Sequence, residues 1–331
     1  MRTRKPWRLA GAVAAALVLA TACGSGSDEE SGGASETRVF EADNGKVTIP
    51  ADPQRVVATG YAVPVLIEAE AKLVGISSWK RGLPLMSDED RKTYDGLTKV
   101  AGERAADTNY EAVAKADPDL IVIGVPKPAL ADLDLKRLES IAPVAVIGPT
   151  VPDAWRELAE RQADAAGKSG VVAESKAAYE KKAADLKTKY ADALSGVKFG
   201  HVGAYGDISA GTFMREFGGS WGTNIAQDMG VTYYGEVKEK GGGSDDVSEY
   251  PSIEELPESL GDADAITYTV EADGKPAAEV KYVLDSKLWK NLPAVKDDKT
   301  FALKYTEAAT YESAMRTLDE IDKALAPLLG Q

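Results

Sequence analysis

The chain of 331 residues holds one histidine and one cysteine, which leaves little material for nucleophilic or metal chemistry. A zinc or manganese centre gathers several imidazoles or thiolates, so none is expected here. His201 lies inside the strand-like run VKFGHVGAY and reads as a core or flank residue. Residues 218–222 (GGSWG) match the G-x-S-x-G nucleophile elbow through Ser220. An α/β-hydrolase places its histidine after the serine, whereas His201 precedes it and no strong apolar strand leads into Ser220. The segment therefore reads as a glycine-rich turn before a helix, and a serine hydrolase is the remote alternative. GKS at 167–169 looks like the end of a phosphate loop, but Gln162 stands where the first glycine is required. No calcium-loop pattern is present. What remains is chemistry of recognition: aromatic rings that cover apolar chains and donate single hydrogen bonds, and guanidinium groups that fork onto oxygen atoms.

The cysteine has a different use. Arg2, Arg4, Lys5 and Arg8 precede an uncharged run from residue 9 to residue 22, and Ala20-Thr21-Ala22 lead into Cys23. A charged start, a short apolar middle and small residues at the end are the layout of a secretion signal over residues 1–22. The run is too short for an ordinary transmembrane helix, which needs about 20 residues. Cys23 resembles the lipidation cysteine of a bacterial lipoprotein, with Ala20 at the position where such signals usually carry Leu. Losing four cations and no acids takes the net charge from −14 to −18. Such a surface repels nucleic acid and anionic headgroups, so an acyl anchor would be the membrane contact. Residues 23–36 contain GSGSDEESGGASE, a flexible tether without large apolar side chains.

About 295 residues remain, enough for two lobes. Residues 40–50 read as a hairpin turning at Asp43-Asn44-Gly45. RVVAT (55–59), KLVGIS (72–77), LIVIGV (120–125) and residues 144–147 read as strands, with helices predicted over 64–71, 108–116 and 132–141. Thr108 and Glu111 have capping-box spacing. Strands alternating with helices give an α/β lobe over 37–150. Residues 151–195 are helical. Within them Tyr179, Ala183, Leu186, Tyr190 and Leu194 form one stripe of a helix predicted over 171–194, a strut of about 36 Å. A second α/β lobe over 196–331 begins with a strand at 197–205. It continues with a helix at 222–229, a helix opened by Ser252 with Glu255 at capping-box spacing, strands at 265–270 and 300–304, and a terminal helix over 307–325.

In open α/β sheets ligands bind beyond the carboxyl ends of the strands. Tyr61 follows the first strand; Trp79, Lys80 and Arg81 the second; Lys127 the third. In the second lobe Tyr205 ends the opening strand, Arg215 and Trp221 lie in the loop after it, Tyr268 sits near the end of AITYTV and Tyr305 follows the last strand. Tyr61, Trp79, Arg81, Tyr205, Arg215, Trp221, Tyr268 and Tyr305 are the candidate ligand residues.

Five segments together resemble the bacterial solute-binding lipoproteins that serve ABC importers of iron-siderophores, haem and cobalamin. They are VTIPADPQRVVATG (47–60), LIEAEAKLVGIS (66–77), NYEAVAKADPDLIVIG (109–124), LESIAPVAVIG (138–148) and LWKNLPAVKDDKTFAL (288–303). The resemblance spans nearly all of the mature chain. It implies two α/β lobes joined by a single long helix, a ligand cleft between them and a small closing motion. It implies no catalysis, no intrinsic cofactor and no direct protein–metal bond. The cargo would be a ferric siderophore, handed by a lipid-anchored monomer outside the cytoplasmic membrane to importer membrane subunits. The few basic candidates favour a ferric hydroxamate such as a ferrioxamine over a highly anionic tris-catecholate complex. Haem, through a tyrosine ligand, and cobalamin, through aromatic packing, are alternative cargoes of the same fold. The family's docking glutamates, one per lobe, match Glu111 in NYEAVAKADPDL and Glu254 in YPSIEELPES.

Overall fold

One parallel sheet, one mixed sheet, one helix of seven turns and a hairpin make up the framework of the computed structural model, which describes residues 36–330. The predicted leader, Cys23 and the predicted tether up to residue 35 lie outside the described residues. The hairpin pairs β1 (Thr37–Ala42) with β2 (Gly45–Pro50), and Gly45 supplies the positive φ of +107° that the turn needs. Asn44 fixes the turn to the first sheet: its Oδ1 accepts from Val146 N at 3.0 Å and its Nδ2 donates to Val144 O at 3.0 Å. The hairpin thereby covers an edge strand that would otherwise expose unpaired backbone.

The first sheet holds β3 (Val56–Gly60), β4 (Leu73–Ser77), β5 (Lys99–Ala101), β6 (Leu120–Gly124) and β7 (Val144–Val146). They run parallel in the order β5-β4-β3-β6-β7. All five residues of β6 are buried, as expected of a central strand covered on both faces. The strand order reverses between β3 and β6, so a crevice opens beyond their carboxyl ends. The second sheet contains β8 (Lys198–Gly203), β9 (Met214–Glu216), β10 (Thr232–Tyr233), β11 (Ser248–Glu249), β12 (Ala265–Val270) and β13 (Thr300–Lys304). Its order is β11-β9-β8-β12-β13, with β10 also paired to β8. β8, β12 and β13 are parallel, whereas β9 runs antiparallel to β8.

The helix Ser169–Leu194 has 26 residues, about 39 Å of rise. It buries Val172, Tyr179, Ala183, Leu186, Tyr190 and Leu194, the stripe expected from the spacing extended about two turns towards the N-terminus by Val172. The C-terminal helix Tyr311–Leu325 packs along it, and Tyr190 Oη donates to Asp322 O at 2.7 Å. Trp155, Tyr179 and Tyr311 meet ring to ring, with centroids 5.0 to 5.8 Å apart. One buried apolar core runs from Val56 and Leu120 of the first sheet through Tyr179 and Tyr190 to Phe199 and Leu303 of the second. None of the described helices is long and apolar enough to cross a membrane.

Several helix starts differ from expectation. Asn109 caps the helix Tyr110–Lys115 in place of Thr108: Asn109 Oδ1 accepts from Ala112 N at 3.0 Å, while Thr108 Oγ1 donates back to Ala105 O. Ser252 opens a 3-10 turn, Ile253–Glu255, and accepts from Glu254 N at 3.3 Å, so the reciprocal bond to Glu255 is not made. The terminal helix begins at Tyr311, four residues later than its periodicity suggested, and Thr310 caps it. This leaves residues 307–310 as non-helical backbone, with Glu307 beside the cleft.

Candidate ligand-binding cleft

The first wall forms where β3 and β4 end. Gly60 has φ +60°, and a Cβ there would lie 2.6 Å from Gly124 O, so only glycine lets the chain turn against β6. Tyr61 follows at once. Its ring meets Trp79 edge-on at 4.9 Å and stacks on Trp221 at 5.8 Å with 5° between planes. Trp221 belongs to the second lobe, so this stack crosses the cleft floor. Gly82 makes room for the Trp79 indole: a Cβ would approach Nε1 to 2.1 Å. The exposed Arg81 guanidinium lies 4.2 Å above Trp79 and 4.6 Å above Tyr61, a double cation–π arrangement. Burial raises the Tyr61 phenol, with Arg81 opposing, so it stays a neutral donor near neutrality.

The second wall comes from the ends of β8, β12 and β13. Tyr205, 51% exposed, stands two residues past β8 and its Oη donates to the Glu307 carboxylate. Tyr305 follows β13 with φ +60°, uncommon for a non-glycine residue, and Thr317 Oγ1 donates to its carbonyl at 2.6 Å. Thr269 and Thr306 bring their hydroxyls to 3.3 Å. Burial raises the Glu307 carboxyl and the nearby Arg81 opposes that rise. Arg81 and Leu85 on one side and Tyr205, Thr269, Tyr305 and Glu307 on the other enclose a cavity of about 390 Å³. Two grooves of about 520 and 500 Å³ run beside the long helix among its lysines and glutamates, away from the strand ends.

Six of the eight candidates thus collect on or under the cleft: Tyr61, Trp79, Arg81 and Trp221 as one aromatic cluster, Tyr205 and Tyr305 in the cavity wall. Two do not. Arg215 lies on β9 rather than in a loop, is 1% exposed, and donates to Glu216 O at 2.8 Å and Tyr234 O at 3.0 Å. Phe217 and Tyr234 sandwich it, so its charge serves the interior of the second lobe. Tyr268 points away because side chains alternate along β12. It packs edge-on against Trp289 at 6.2 Å, while its neighbour Thr269 faces the cavity. Glu307 was hidden by the helical pattern that runs through it; the Thr310–Ser313 spacing marks the true helix start.

Ser220 is fully buried, and its Oγ lies 2.9 Å from Ser248 Oγ. A nucleophile elbow exposes that atom. His201 has no exposure, with Nδ1 2.7 Å from Thr267 Oγ1 and Nε2 3.1 Å from Thr269 Oγ1. Burial, helped by Arg215, lowers its pKa to about 3, so the imidazole is neutral.

Two α/β lobes bridged by one long helix, with an aromatic cavity where their strand ends meet, define a two-lobed solute-binding protein. Residues 56–306 match the family described as "Periplasmic binding protein", and the chain belongs to it. It is 30% identical to the iron(3+)-hydroxamate-binding protein FhuD of Bacillus subtilis, over 89% of this chain and 90% of that protein. The iron(3+)-hydroxamate-binding protein YxeB of the same organism is 27% identical over 88% of this chain and 87% of its own length. Among solved structures, the siderophore periplasmic binding protein from the fuscachelin gene cluster of Thermobifida fusca superposes with a TM-score of 0.67 at 28% identity. That alignment covers 84% of this chain and 98% of that one.

Proposed function

We propose that the protein binds a ferric hydroxamate siderophore in the cleft and delivers it to an ABC importer, without catalysing a reaction. The observation that carries this reading is the cavity of about 390 Å³ between the lobes, walled by Arg81, Tyr205 and Tyr305. Its hydroxyl and guanidinium groups suit the carbonyl and hydroxamate oxygens of a chelated iron, and its rings suit the methylene linkers. One guanidinium among aromatics is a weak counter-charge for a tris-catecholate complex and an adequate one for a near-neutral hydroxamate. Family membership and the two hydroxamate-binding relatives support the same reading.

Ser220 and His201 are both fully buried and held by hydroxyl groups, which supports a non-catalytic role. Cys23, after its apolar leader, is read as the lipid-anchored first residue of a protein working outside the cytoplasmic membrane. Glu111 and Glu254 are both exposed on separate lobes, which supports their use as importer contacts.

Trp79 and Trp221 lie at the cleft and report occupancy. Quenching of tryptophan fluorescence by ferric hydroxamates, ferric catecholates, haem and cobalamin tests the proposal. Ferric hydroxamates are expected to bind at or below about micromolar Kd, the −8 kcal/mol range, and at least tenfold tighter than the other three. Tighter binding of haem or cobalamin would overturn the assignment.

A further inference from the structure

The cavity carries more acid than its proposed cargo's iron centre calls for. Three carboxyl groups from three different segments line it: Glu271 directly after β12, Glu279 at the start of the helix Ala278–Asp285, and Glu307 after β13. Arg81 is the only cation in that lining, and it is engaged by the Trp79 and Tyr61 rings and faces Glu307. Glu307 in turn accepts from Tyr205. Glu271 and Glu279 have no ion-pair partner among the described residues. The nearby lysines are directed elsewhere: Lys275 pairs with Asp273 at 2.6 Å, and Lys304 lies against the Gly274 turn, where it also lowers the Asp273 carboxyl. Glu279 has a structural use as an acid in a first helical turn, but Glu271 has no such role.

We infer that Glu271 and Glu279 bind a free ammonium group of the cargo, so that the cleft selects ferric hydroxamates bearing a net positive charge. This rests on the proposed ferric-hydroxamate reading. Three hydroxamates neutralise one ferric ion, so the charge of such a complex is set by the rest of its chain. An ammonium group at the carboxylate side of the cavity would leave the iron centre beside Tyr205, Tyr305 and Arg81. A carboxylate at the same place would meet like charge, which discriminates by repulsion as well as by attraction.

The test uses one iron centre with three end groups. Ferric desferrioxamine B carries a terminal ammonium, its N-acetyl derivative is neutral and its N-succinyl derivative is anionic. Kd values come from tryptophan quenching. A charge-assisted contact predicts a preference of about tenfold for the ammonium form over the acetyl form, and a larger one over the succinyl form. The preference is expected to shrink between about 20 mM and about 0.5 M sodium chloride. In the double variant Glu271→Gln/Glu279→Gln the ammonium-to-acetyl ratio is expected to fall to within about twofold. Because the readout is a ratio, a change in active fraction does not imitate it. Tight but equal binding of the ammonium and acetyl forms by the parent protein would refute the inference and leave the ferric-hydroxamate reading intact. A tenfold ratio that persists in the double variant would refute the role of the two carboxylates. Failure of all three complexes to bind would refute the inference, and the ferric-hydroxamate reading would then be decided by the other ferric hydroxamates of the quenching panel.

Discussion

Glu216 is the least expected charged residue in the molecule. It is 2% exposed on β9, with its carboxylate 3.6 Å from His201 Nε2 and accepting from Gly222 N at 2.6 Å. Burial raises its pKa from 4.5 to about 7, against the pull of Gly222 and Arg215. The folded chain therefore holds this proton where the unfolded chain has lost it. The stability it contributes is complete below about pH 4.5 and is lost as pH rises through about 7. His201 has the opposite sign, its contribution present above about 6.5 and lost as pH falls through about 3. Replacing Glu216 by Gln removes only the first effect. Relative to the parent, Glu216→Gln is expected to gain stability between about pH 5 and about pH 8, reaching about 2 to 3 kcal/mol. Urea titrations at both pH values would check it; a difference that does not change with pH would contradict the buried, protonated carboxyl. Single residues were also where the sequence was least legible. Tyr61, Trp79 and Arg81 could be found because the residues after β3 and β4 must line the crevice. Tyr268 faces away from the cleft because one step along a strand changes the face a side chain occupies, and Arg215 lies in a strand where the sequence reads as a loop. No local signal marked β9, three residues that run antiparallel to β8.

The start of the C-terminal helix does two jobs. Thr310 Oγ1 accepts from Ser313 N at 3.1 Å and Ser313 Oγ accepts from Thr310 N at 3.1 Å, a reciprocal cap. The same Thr310 hydroxyl donates to Glu68 Oε1 at 2.6 Å, tying the helix to Ala62–Glu68 of the first lobe. Glu68 is driven well above the usual carboxylate range by burial, with Asp90 and Glu312 adding to the rise. Thr310→Ala removes the cap and leaves that carboxyl without its donor. It is expected to lower the unfolding free energy by about 2 kcal/mol, whereas Thr310→Ser should stay within about 0.5 kcal/mol of the parent. Denaturant melts measure both, and equal losses in the two variants would show that the hydroxyl is not what matters. At this scale the sequence was more informative. The long helix followed from five residues four, three, four and four apart, and β6 from an unbroken apolar run. Helix starts were less secure, because Asn109 outcompetes its neighbour Thr108 for the same orphan N–H groups.

The lobes share one buried core, a long helix, the Thr310–Glu68 bond, an Arg316 Nη1 to Met86 O bond of 2.8 Å and the Tyr61–Trp221 stack. Separating them widely would expose that core, so cargo capture should involve a small closure, and an importer would recognise a nearly fixed surface. Glu111 and Glu254 suit such recognition. Each is exposed, each lies in the first turn of a short helical segment, and neither touches the cleft. Reversing both charges in Glu111→Lys/Glu254→Lys should leave the Kd for a ferric hydroxamate within about twofold, since both are solvent-exposed charges outside the cavity lining, where salt screens them. Iron uptake by cells that depend on this protein should fall about tenfold or more, since like-charge juxtaposition at a docking surface costs several kcal/mol. Cys23→Ala tests the proposed lipid anchor in the same assay: if Cys23 carries it, binding is retained, the protein is recovered in the medium, and uptake falls because the carrier is no longer concentrated beside its importer. Uptake that survives the double reversal would mean the importer reads another face. Loss of cargo binding in the same variant would place the glutamates' effect in the cleft instead of at the docking surface.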